Sequence, residues 1–277
     1  MPESATAPGA GSLLRDGKLG PALDAAAAEV RKRPGAFSAR VLFAELLLLA
    51  GDLERADVVL DAAAGLDPDG AVVVAEFRQL LRADMARRQL RRDGRVPEFL
   101  GAPTPACRAL LAGYVALRAG DTPGAARAAA EAEATRPRAP GEADDGAFDD
   151  FRDGDDLLAG VFEVLTTTGK YFWVPTERVE AVELHPPRRA RDLAWRRASM
   201  TVRDGPDGDV YLPALYGPDG EAPGDALRLG RETDWRVLVE PAGEAPGLVQ
   251  GVGQRTFLAG ERPLGIMAAT RLRFGAP

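Results

Sequence analysis

The chain has 277 residues, of which 45% are hydrophobic and 28% charged, and a formal net charge of −7. That is the composition of a soluble globular protein with room for two domains. No apolar run approaches the roughly 18 residues a membrane span needs, and neither half is polybasic, which excludes nucleic acid as the main partner.

The acidic excess is local. Residues 142–156 hold eight acids against one arginine, while the flanking segments are close to neutral. A single cysteine, Cys107, excludes an intramolecular disulfide and fits a reducing compartment. The opening MPESATAPGAG lacks the basic and apolar regions of a secretory signal, so a cytoplasmic location is expected.

The first half is organised by a repeat. Gly17, Ala22 and Pro34 recur at the same spacing as Gly51, Ala56 and Pro68, and again as Gly120, Ala125 and Pro137. Each glycine suits the left-handed residue that closes a first helix. Each alanine lets the second helix approach closely, and each proline ends it. Asp52 and Asp121 follow two of the glycines as N-caps. The expected helices lie near 21–33, 37–50, 53–65, 71–92, 105–119 and 122–135. Leu42, Leu46 and Leu49 with Leu60 form one apolar stripe, and Leu110, Leu111, Tyr114 and Leu117 another.

Residues 138–156 read as an acidic, glycine-rich linker leading into a short helix at 155–165. Beyond it the texture is that of strands, expected over 171–174, 179–184, 198–203, 210–216, 235–240, 248–258 and 267–274, with a helix near 225–232. Pro206-Asp207-Gly208 and Pro218-Asp219-Gly220 read as tight turns. The whole is expected to be an α+β multidomain chain. A TPR-like α-solenoid (1–140) and an acidic linker (141–156) precede a smaller mainly-β domain (157–277), barrel-like or a curled sheet, with one or two helices.

Few residues point to chemistry. One histidine, His185, and one cysteine cannot build a zinc site, and they lie in different halves. His185 reads as a surface residue at a strand end and Cys107 as a packing residue. The aspartates at 149, 150, 153, 155 and 156 resemble a calcium loop only superficially, because Phe151 occupies an alternate ligand position. Gly251-Val252-Gly253 lacks the third glycine of a dinucleotide loop and reads as a turn or bulge. Arg82, Arg87, Arg88, Arg91, Arg92 and Arg95 form the best basic patch, read as a solvated helix end because acids interleave. No metal and no cofactor is expected.

The glycine–alanine–proline spacing resembles the tetratricopeptide repeat, with Ala44 and Gly113 matching its small packing residue. Stacks of this kind present a concave groove to a peptide or helix. A second resemblance rests on an ordered series. It begins with Phe148-Asp149-Asp150-Phe151, Phe162-Glu163-Val164 and Gly169-Lys170-Tyr171-Phe172-Trp173-Val174-Pro175. Arg178-Val179, Leu184-His185-Pro186-Pro187 and Arg191-Asp192-Leu193 with Trp195 follow. Leu227-Arg228-Leu229, Thr233-Asp234-Trp235 and Gly251-Val252-Gly253-Gln254-Arg255 complete it.

In this order the chain resembles the ImpE (TagJ) family, accessory proteins encoded with bacterial type VI secretion systems. The resemblance implies a non-enzymatic adaptor that holds a helix of the small sheath subunit. Through that subunit it would reach the AAA+ ATPase that recycles the sheath. By analogy with repeat proteins, Val41, Glu45, Leu48, Leu110, Tyr114 and Leu117 would face the partner, with Tyr171 and Trp173 as a second surface. The alternating reading of the latter places Phe172 on one side of a sheet and Tyr171 and Trp173 on the other. Two alternatives stand beside the adaptor. One is a hydrolase or cofactor-binding enzyme using Arg178, Glu183, Arg191 and Gln254; the other is a generic TPR chaperone.

Overall fold

A computed structural model describes residues 8–144, 146–217 and 224–275. The first half is helical: α1 (Ala10–Arg15), α2 (Leu19–Lys32), α3 (Phe37–Ala50), α4 (Leu53–Asp61), α5 (Ala71–Asp93), α6 (Pro105–Arg118) and α7 (Thr122–Thr135). The three repeat glycines behave as their spacing requires. Gly17, Gly51 and Gly120 have φ of 78°, 90° and 77°. Each sits in the same paired end motif: its own N–H and the next one return to carbonyls of the helix just closed. Ala22, Ala56 and Ala125 are wholly buried. Asp52 accepts from the N–H of Arg55 and Asp121 from that of Gly124, so both cap as expected.

The unit between the hairpins is different. It is one uninterrupted helix, α5, closed by Gly94 at φ 79°. Its neighbour α3 is buried along most of its length, from Val41 to Leu49, which explains a sequence apolar on nearly every face.

The second half holds β1 (Gly141–Ala143), β2 (Gly146–Phe148), β3 (Phe151–Asp153), β4 (Val161–Leu165), β5 (Tyr171–Pro175), β6 (Val179–Leu184), β7 (Trp195–Val202), β8 (Asp207–Pro213), α8 (Asp225–Arg228), β9 (Thr233–Val239), β10 (Leu248–Gly253), β11 (Thr256–Ala259), β12 (Arg262–Gly265) and β13 (Arg271–Phe274). Eight of these strands form one antiparallel sheet in the order β2-β1-β13-β6-β7-β8-β4-β5. Three more pair as β12-β11-β3, and β10-β9 is a two-stranded ribbon. The α+β organisation is the expected one. The large sheet is open rather than a closed barrel, with β2 and β5 at its ends. Glu98 covers the outer edge of β5: it gives its N–H to Tyr171 and takes that of Trp173, at 2.9 and 3.0 Å.

Several expectations are corrected. The acidic stretch 141–156 is not a linker but supplies β1, β2 and β3, and no helix spans 155–165, where a turn leads into β4. Arginines neutralise the acids: Arg136, 14 residues away, binds Asp150, and Arg152 within the stretch binds Asp156. The turn expected at 206–208 falls at 203–205, with Asp204 at φ 50°. The strand expected over 248–258 is two, broken after Gly253, which has φ 84°. The turn at 218–220 lies outside the described residues.

The sheet separates two apolar cores. On the helix side, Phe77 meets Trp195 edge-on at 5.7 Å and Tyr114 meets Trp173 at 5.9 Å, so one core runs from helices into sheet. On the other side, Phe151 packs against Phe257, Phe274 and Phe162 with centroids 5.0, 5.2 and 5.7 Å away. Offset and edge contacts of this kind add to the area they bury.

Candidate functional site

The junction of helices and sheet is held by charges. At helical spacing, α5 carries Asp84, Arg87, Arg88 and Arg91 along one flank. The Nε of Arg87 donates to both oxygens of Glu163 on β4 at 3.0 Å, and an Nη donates to the Leu215 carbonyl at 3.1 Å. Glu163 also accepts from Arg255 and from the Tyr171 hydroxyl, which itself accepts from the Trp173 indole at 2.6 Å. Arg255 lies 3.4 Å from Asp153, whose other oxygen accepts from the Tyr216 hydroxyl at 2.7 Å. Asp155 accepts from the N–H groups of Leu157 and Gly251 and lies 3.9 Å from Arg91.

Burial alone would raise every carboxyl here. For Glu163 the guanidiniums of Arg87 and Arg255 win, and hold it well below the usual carboxylate range. For Asp153 burial wins over Arg255, and Asp155, facing only a distant Arg91 and the nearby Asp153, is pushed up to about 7. Buried charges survive only when paired and fully hydrogen-bonded. Glu163 meets that condition, so this network reads as a joint between the halves.

Beside the joint lies an open cleft of about 300 Å³. Its walls include Leu48, Leu49 and Ala50 of α3, Asp84, Arg87 and Arg88 of α5, Trp195 and Leu215, Leu227 and Arg228 of α8, and Val252 of β10. Leu215, Leu227, Arg228 and Val252 are half-buried. Asp84 lies 3.6 Å from both Arg87 and Arg88, and its Oδ1 has no hydrogen-bond partner among the described residues. The cleft thus offers an apolar wall and three arginines, with the buried Asp84 carboxylate behind two of them.

Most of the expected partner contacts are covered within the chain. Val41, Glu45, Leu48, Leu110, Tyr114, Tyr171 and Trp173 are buried by the chain itself, and Leu117 is half-buried. The reason is that the sheet half packs onto the face those helices would show to a partner. Glu45 accepts from Arg189 at 2.7 Å, and the 3-10 turn Ala190–Leu193 lies against α3. Tyr171 and Trp173 share the helix-side core while Phe172 points to the other, as strand alternation requires. Of the eight, Leu48 reaches the cleft wall. Tyr114 and Leu117 line a second groove of about 320 Å³ together with Arg91, Arg118, Thr122, Arg236, Leu238 and Gln250.

The candidate enzyme residues do not converge. Arg178 donates to the Leu100 carbonyl, Arg191 to Glu76, and Gln254 to the Gly230 carbonyl, while Glu183 is exposed on β6. His185 contacts Ser199 at 3.0 Å, and Ser199 donates to Asp209 at 2.8 Å. The carboxylate meets the serine and the same ring nitrogen, at 3.8 Å, whereas a triad places it on the opposite nitrogen to orient the ring. Among the described residues no group of three or more His, Cys, Asp or Glu side chains is placed to hold a metal. Cys107 is a buried packing residue.

Sequence reasoning missed Arg255 and Glu163. Both lie inside motifs of the ordered series, yet nothing local marks them as partners across 92 residues.

Comparison with known proteins follows the same outline. A family model described as ImpE protein matches residues 145–273. The type VI secretion system accessory component TagJ of Pseudomonas aeruginosa is 30% identical over 254 residues, 91% of this chain and 86% of that one. The crystal structure of a Vibrio parahaemolyticus protein superposes with a TM-score of 0.88 at 27% identity, covering 97% of this chain and 98% of that one.

Proposed function

The chain belongs to the ImpE family, and from that footing we propose that it is a non-enzymatic adaptor that binds the small subunit of a contractile sheath through one of its helices. Its relative is a type VI secretion accessory component, which supports an accessory role in that system and a non-catalytic one. By joining the sheath subunit it would influence sheath assembly or its recycling by the AAA+ ATPase, in the cytoplasm. No helix among the described residues is long and apolar enough to cross a membrane.

The observation that carries the reading is the contrast between the sealed joint and the open cleft. At the joint, Glu163 and Arg87 satisfy each other. In the cleft, Leu227 and Val252 stay half-buried beside Arg88 and Arg228. An amphipathic helix laid across the opening would insert an apolar side chain and set an acidic neighbour against the arginines. Anchors of this kind carry most of an interface's energy. The test is a calorimetric titration of the folded chain with the cognate small sheath subunit. Saturable binding supports the adaptor, and no binding to that subunit or to assembled sheath overturns it.

A further inference from the structure

Among the described residues, the ribbon β9–β10 leaves one long strand edge open. On β10 the N–H of Gly251 goes to Asp155, and the N–H and C=O of Val249 go to Asp156, so these groups turn away from β9. Trp235 stands opposite Gly251 and Val237 opposite Val249. Alternation in an antiparallel ladder therefore turns the N–H and C=O of Trp235 and Val237 away from β10 as well. Among the described residues one of these four groups has a partner: the N–H of Trp235 reaches the adjacent Asp234 carboxylate at 2.8 Å. The side chains are partly exposed too, Trp235 40% and Val237 48%, with one side of the Trp235 ring against Tyr216 at 6.0 Å.

Such an edge is a template for another strand, and proteins normally blunt it with prolines, lysines, short strands or a cover. The other edges here show these devices. Glu98 covers β5, β12 carries Pro263, and β2 is three residues long. β9, at seven residues, has neither proline nor lysine; its charges are one of each sign, Asp234 and Arg236, and its register shifts near Leu238 beyond the stretch 233–237.

We propose that β9 pairs with β9 of a second copy of this chain, antiparallel about a twofold axis at Trp235. The sequence of the strand selects that register. Centred on Trp235, it sets Asp234 opposite Arg236 of the other copy twice over, and Thr233 opposite Val237. The two Trp235 rings then meet on the face away from these charges. Centring on Arg236 would instead oppose two arginines, a like-charge pair. Arg236 also has a contact within its own chain, beside which the intermolecular ion pair would form. The shared strand length is short, and the dimer is accordingly weak and reversible rather than obligate. This outer edge does not line the cleft, so the dimer stands or falls independently of the adaptor reading.

Sedimentation equilibrium of the full chain over a wide concentration series tests the inference. The wild type is expected to show a monomer–dimer equilibrium. Val237→Pro, which removes an outward N–H and leaves the pairing with β10 intact, should weaken it at least about tenfold. Asp234→Arg should do the same by opposing two arginines, and adding Arg236→Asp to that variant should restore dimerisation. A wild type that stays monomeric throughout overturns the proposal. So does a dimer that Val237→Pro leaves unchanged, or one that the charge swap fails to restore while circular dichroism shows the variants folded.

Discussion

Arg87 and Glu163 meet at 3.0 Å, 76 residues apart in the chain, with Arg87 on the longest helix and Glu163 on the strand next to the sheet edge. Both are buried, and Arg255 approaches Glu163 from β11's side of the joint. The two halves are joined there by a hydrogen-bonded charge cluster as well as by apolar packing.

Removing the acid should be more damaging than its single residue suggests. Glu163→Gln removes the carboxylate that Arg87 and Arg255 share, leaving Arg87 only Asp84 at 3.6 Å and Arg255 only Asp153 at 3.4 Å. A broken buried pair of this kind costs about 3–5 kcal/mol. Urea unfolding is expected to show the loss as a lower midpoint, with the aromatic signal of Trp173 and Trp195 reporting the junction directly.

Arg196 predicts the opposite sign. It is 3% exposed, its Nη1 reaches the Met267 sulfur at 3.9 Å, and its Nε has no hydrogen-bond partner among the described residues. Burial pulls its pKa down, with Asp192 opposing only at a distance. Arg196→Met exchanges a poorly compensated charge for apolar contact. It should raise the unfolding midpoint, by about 1 kcal/mol.

Two aspartates should set opposite limbs of the stability–pH curve. Asp155 is pushed up to about 7 by burial, from an ordinary 3.8. Its protonated form is favoured in the folded state, so its contribution is full below about pH 4 and lost as pH rises through 7. Burial would also raise Asp150, but hydrogen bonds from Arg136 and the Ala139 and Phe151 N–H groups bring it down to about 2. Its contribution is present above the ordinary value of 3.8 and lost as pH falls through 2. Urea midpoints measured across pH should show the neutral limb flattened in Asp155→Asn and the acid limb flattened in Asp150→Asn.

Gly251 is required for a close approach. A Cβ there would fall 2.2 Å from the Tyr216 ring, whose hydroxyl holds Asp153 and the Thr256 backbone. The ring cannot yield without releasing those bonds. Gly251→Ala should therefore destabilise by about 1–3 kcal/mol, read from thermal or urea unfolding.

The helical half was legible because its signals are local. Gly51 and Gly120 close helices at positive φ and Asp52 and Asp121 cap the next ones, each within a few residues. The acidic stretch was misread because its partners are remote: Asp150 pairs with Arg136, Asp153 with Arg255, and Asp155 faces Arg91. Composition alone cannot distinguish solvated acids from paired ones. Most of the expected contact residues are covered, for a related reason. An apolar stripe such as Val41 with Leu48 shows that something must cover it, and here the chain's own Ala190–Leu193 turn lies against that helix. The cleft was not legible, since Leu48, Asp84, Leu227 and Val252 converge from four separate elements.

The central claim is that this cleft receives the sheath subunit. Calorimetric titration of the whole chain with its cognate small sheath subunit, run beside a folded Val252→Glu variant, tests it most directly. The account predicts saturable binding by the wild type and at least about tenfold weaker binding by the variant, a loss of about 1.4 kcal/mol. Absence of binding by the wild type would contradict the adaptor, and equal affinity for the two proteins would contradict the cleft.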